Sequence, residues 1–98
     1  LAGVGMKIKE LLTDESKWTQ NAGARDKEKI PVPPKSEEAV CWCLFGAILK
    51  CYGEDKEVYN RLDKYILYNL TGMGIFSYND NPKRTFKDIK ALIEKLDI

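Results

Sequence analysis

The apolar stretch at 36–52 constrains this chain more than any other part of it. Val40, Leu44, Ala47, Ile48 and Cys51 recur there at helical spacing. Trp42, Phe45 and Leu49 make the remaining faces apolar as well. A helix that is apolar nearly all round must be buried, with neighbours on most sides. The spacing therefore predicts a central helix over 37–52, with Ser36 as its N-cap. Glu37 and Glu38 fall in its first turn, where the helix dipole favours acids. Gly53 is the natural residue to stop it.

The flanking segments supply the neighbours. Ile8, Leu11 and Leu12 predict a short amphipathic helix near 6–13. Val58, Leu62, Tyr65, Ile66 and Leu70 form the stripe of a helix over 54–70, with Asp55, Asn60, Asp63 and Lys64 facing outward. Phe86, Ile89, Leu92, Ile93 and Leu96 do the same over 85–97, where Thr85 and Asp88 form a capping box. The β-prone run 75–78 reads as strand or loop, and 79–82 as a turn. Residues 14–35 show no helical period, and Pro31, Pro33 and Pro34 hold extended backbone. A connection this long in a small domain is usually functional or disordered, and with Trp18 and Arg25 in it, it is expected to be ordered. The expected fold is mainly α. It is a compact four-helix domain around a buried apolar helix, with a long ordered loop and room for one or two short extended segments. With 98 residues the chain makes one domain, taken as 6–98. Residues 1–5 are expected to be a cloning remnant ahead of a native start at Met6.

Composition removes several functions. Sixteen basic and 15 acidic residues leave a net charge of +1, against non-specific nucleic-acid binding. No apolar run approaches the roughly 20 residues that span a bilayer, so no membrane partner is expected. Three cysteines on one predicted helix cannot build a disulfide framework; Cys41, Cys43 and Cys51 read as reduced core thiols, and the expected location is therefore cytoplasmic. The chain contains no His, which removes the commonest general base and metal ligand. No catalytic residue, metal or cofactor is expected, and the balance is against an enzyme.

Several polar motifs occur in a fixed order: Trp18-Thr19-Gln20, Ala24-Arg25-Asp26, Pro31-Val32, Ala39-Val40-Cys41-Trp42-Cys43-Leu44, Gly46-Ala47, and Asn79-Asp80-Asn81-Pro82-Lys83-Arg84-Thr85. Together they resemble a family of small uncharacterised proteins found in bacteria and their phages. Tyr78 stands where that family commonly has Trp, and Lys27-Glu28-Lys29 lacks its usual Gly. The resemblance implies the identity of the domain, and through its phage members a role in sequestering a host nucleotide signal, an anti-defence function.

Arginine usage marks the candidate site. Only Arg25, Arg61 and Arg84 are Arg among the sixteen basic residues, and two of them lie in polar motifs. Arg suits planar, bidentate recognition of carboxylate or phosphate. The predicted ligand-binding set is Trp18, Arg25, Asp26, Tyr78, Asn79, Asp80 and Arg84. Trp18 and Tyr78 would offer stacking faces, Arg25 and Arg84 anion contacts, and Asn79 and Asp80 a polar edge. The same residues could instead clasp loop to loop, with Asp26 and Asp80 capping turns. The expected function is a non-enzymatic module for a small nucleotide-like anion. The alternative is an adaptor or inhibitor that forms a homodimer or docks on a host protein through Tyr52, Tyr59, Tyr65 and Tyr68.

Overall fold

Apolar side chains at helical spacing build most of the molecule, and the computed structural model describes residues 6–98. The expected cloning remnant, residues 1–5, lies outside the described residues. These form α1 (Ile8–Leu11), β1 (Ala24–Arg25), β2 (Cys41–Trp42), α2 (Leu44–Tyr52), α3 (Lys56–Asn69), α4 (Ile75–Asp80) and α5 (Phe86–Leu96). A 3-10 turn at Glu15–Lys17 lies between α1 and β1. The body measures 34 × 33 × 19 Å. A helix with side chains is about 10 Å across, so the short dimension holds two layers. α2 packs against α1, α3 and α4, and α5 closes on α1. Ile8, Leu44, Leu62, Ile66 and Ile89 are fully buried between them, each stabilising by about 1.5–3 kcal/mol. The fold is mainly α, as expected, and α4 adds a fifth helix to the four expected.

The central helix is shorter than its apolar run. Residues 37–43 are not helical, and the cap is Cys43, whose sulfur accepts from Gly46 N at 3.2 Å. Tertiary partners take the backbone of the missing turns. Val40 N donates to Arg25 O and Cys43 N to Gly23 O, while Ala24 pairs with Trp42 and Arg25 with Cys41 in an antiparallel ribbon. Ser36 Oγ caps only a local turn, accepting from Glu38 N. Of the three cysteines, only Cys51 lies within the helix; all three are buried.

Three further expectations change. The run 75–78 belongs to a helix, α4, because Asp63 of α3 accepts the Ile75 N–H at 2.8 Å and caps its start. Ile75, Tyr78 and Asn79 then face the core one turn apart, and tertiary burial overrides β propensity. Asp63 thus points inward to this cap rather than outward. Leu70, expected in the buried stripe of α3, is 46% exposed beyond the helix end. The remaining predicted caps appear as expected. Gly53 ends α2 at φ +66°, and Thr85 and Asp88 form the capping box of α5.

Candidate functional site

The long polar connection is fastened to the helices by one amide. Asn79, on the last turn of α4, is 2% exposed. Its Oδ1 accepts from Trp18 Nε1 at 2.8 Å and from Leu44 N at 3.0 Å. Its Nδ2 donates to Thr19 O at 3.1 Å and to Asp80 Oδ1 at 2.8 Å. An amide side chain has two N–H groups and two lone pairs, and all four are used. Leu44 N is one of the orphan donors at the start of α2, so α4 caps α2 while holding the loop. Around this amide, Gln20 Nε2 donates to Asn79 O and Asn81 O, and Asn21 N donates to Asp80 Oδ1.

Arg84 completes a second fastening. Its Nε donates to Tyr78 O at 2.9 Å, its guanidinium carbon lies 3.7 Å from the Tyr78 ring centroid, and Asp88 is 3.9 Å away. Tyr78 is 6% exposed, and burial pushes its phenol up, against the opposing pull of the Arg84 charge. Its ring face is therefore occupied by Arg84. Asp26 closes the hairpin between β1 and Pro31, its Oδ1 accepting from Glu28 N and Ile30 N.

Arg25 is held differently. Its Nε donates to Thr19 Oγ1 at 3.0 Å, one terminal nitrogen to Lys29 O at 3.0 Å, and the other to Gln20 O at 3.1 Å. Lys29 adopts φ +69°, in the hairpin that brings its carbonyl onto Arg25. Three of the five guanidinium N–H groups are engaged, all by neutral acceptors. No carboxylate lies within 4.0 Å of Arg25 among the described residues. Arg25 borders a cleft of about 490 Å³ with Glu15, Ser16, Trp18, Thr19, Gln20, Lys29 and Cys41.

Of the seven residues predicted from sequence, Trp18 and Arg25 line this cleft, and Arg84 does not. Trp18, Asn79 and Asp80 meet in the amide network, with Asp26 and Tyr78 outside it. Sequence reasoning missed Glu15, Ser16, Thr19, Gln20 and Lys29. Thr19 and Gln20 stood beside Trp18 in its motif, whereas nothing local singled out Glu15 or Lys29. Cys41 borders the cleft, while burial raises the Cys43 thiol and pushes Cys51 up to about 11. No helix of the described residues is long and apolar enough to cross a membrane.

Fold and site define a small mainly-α domain whose polar loop is clasped to its helices around a cationic cleft. The chain belongs to the family of unknown function DUF6197, which it matches over residues 3–96. No curated protein and no solved structure matches it.

Proposed function

We propose that this protein is a non-enzymatic module that binds a small organic anion in the cleft bordered by Arg25. One observation carries the reading: Arg25 is fixed by three neutral acceptors and has no carboxylate partner within 4.0 Å among the described residues. A partly buried charge is costly without a counter-ion. A guanidinium already locked in place loses little freedom when an anion supplies that counter-ion. The polar wall of Ser16, Thr19 and Gln20 beside Trp18 suits a ligand with a charged head and a planar body. A phage protein that sequesters a host nucleotide signal in the cytoplasm is one concrete form of this reading. Asn79, Asp80, Tyr78, Arg84 and Asp26 then serve as the frame that holds the cleft. Calorimetry against inorganic phosphate, AMP and benzoate tests it. Saturable binding of at least one is expected, weakened about tenfold or more by Arg25→Lys, which keeps charge and loses the fork. No binding of any of the three at millimolar concentration overturns it.

A second reading rests on a separate face. The Phe45 ring lies 5.0 Å from Phe76 and 5.8 Å from Tyr59, and Phe76 is 51% exposed. Exposed aromatic clusters mark contact surfaces. As a homodimer interface this face would give a concentration-dependent mass in sedimentation equilibrium, which Phe76→Ser would abolish. A monomer at every concentration excludes the homodimer.

A further inference from the structure

We infer that the ligand of the Arg25 cleft is amphoteric: a carboxylate held by Arg25 and a protonated amine received by Glu15, as in the head group of a free α-amino acid. This rests on the anion-binding reading and narrows it. The cleft is bordered by two cations, Arg25 and Lys29, and one carboxylate, Glu15, which leaves a single net positive charge. A nucleoside di- or triphosphate would bring several negative charges to that one. None of the three groups has an ion-pair partner within 4.0 Å among the described residues. Opposite charges therefore border one cleft without meeting, and the space between them is open to a ligand that carries both.

The hydrogen-bonding inventory agrees with the charges. On the cationic side, Arg25 keeps one N–H on each terminal nitrogen, enough for the two oxygens of a carboxylate. Thr19 Oγ1 accepts from Arg25, and its own hydroxyl proton has no partner among the described residues. Gln20 Nε2 is committed to Asn79 O and Asn81 O, while Gln20 Oε1 has no partner among the described residues, and Gln20 and Glu15 both border the cleft. The cleft thus offers free donors on Arg25 and Thr19 and acceptors on Gln20 and Glu15. An α-amino acid presents the complement: two acceptor oxygens and an ammonium with three donors. Its head group fills only part of about 490 Å³, so a side chain can lie along Trp18.

Amide NMR of the 15N-labelled protein tests this with three probe sets: free α-amino acids, the same acids N-acetylated, and AMP with inorganic phosphate. N-acetylation removes the ammonium and keeps the carboxylate. At least one free amino acid is expected to shift Thr19, Gln20 and Arg25 and to bind about tenfold or more tighter than its N-acetyl form. Glu15→Gln should remove that preference while leaving the N-acetyl form bound as before or better, since a repelling carboxylate is gone. Equal binding of free and acetylated acids, or tighter binding of AMP or phosphate, overturns the amphoteric ligand and leaves the anion reading standing. No shift with any probe overturns both.

Discussion

The corner at Arg84 and the cleft at Arg25 are built from the same materials and end in opposite states. Each carries an arginine from a polar motif and an aromatic residue: Arg84 with Tyr78 in contact, Arg25 with Trp18 on the border of the same cleft. At Arg84 the guanidinium lies on the Tyr78 ring, donates to Tyr78 O and has Asp88 at 3.9 Å. Its charge and its faces are spent inside the fold. At Arg25 the partners are two carbonyls and a hydroxyl, so orientation is fixed and charge is left uncompensated. An arginine in a motif therefore marks a clasp or a receptor according to the charge of its partners.

The comparison can be broken most severely at the element both regions share. A Cβ on Gly46 would stand 1.9 Å from Gly23 O, and that carbonyl also accepts the Cys43 N–H. A backbone atom cannot swing aside as a side-chain end can. Gly46→Ala should therefore separate α2 from the loop and cost more than about 4 kcal/mol, enough to leave much of a small domain unfolded. Circular dichroism under denaturant titration measures it; a variant that melts like the parent would show the contact to be dispensable.

Asn79→Ala should follow, at roughly 3–5 kcal/mol, because it leaves the Trp18 indole N–H and the Leu44 N–H without partners. The loss should appear in both the melting curve and Trp fluorescence, since Trp18 is released. A cost below about 1 kcal/mol would mean that water replaces the amide.

The two arginines then separate by readout. Arg84→Lys should lower stability by about 1–2 kcal/mol, through lost ring contact and the lost bond to Tyr78 O, with anion affinity unchanged. Arg25→Lys should cost a comparable amount of stability and also weaken anion binding about tenfold or more. Equal effects on binding would erase the distinction drawn here.

The smallest effect lies far from both regions. Hydrogen bonds from Lys9 and Lys7 hold the Asp97 carboxyl down to about 2, from 3.8. A depressed carboxyl stabilises the fold above its unfolded value, and that contribution is lost as pH falls from about 4 towards 2. Asp97 is exposed, so the contribution is small and screened by salt. Asp97→Asn should flatten the fall in melting temperature over that range, with binding untouched. An unchanged acid profile would show that the pair adds nothing.

The parts of the molecule that depend on neighbours along the chain were legible before folding. The stripes of α3 and α5, the capping box of Thr85 and Asp88, and the stop at Gly53 follow from side-chain spacing and local backbone preference. So does the mainly-α class, because amphipathic periods of this length have few other uses. Where α2 begins depends on long-range contacts, since its would-be first turns find better partners at Gly23 and Arg25, far away in sequence. The same holds for α4, whose first N–H is capped by Asp63 from another helix, and for Asn79, three of whose four partners, Trp18, Thr19 and Leu44, lie 35 or more residues away, only Asp80 belonging to its own turn. The roles of Arg25 and Arg84 were undecided for that reason: a guanidinium is the same chemical group in either place, and what it does depends on which atoms folding brings within about 3 Å of it.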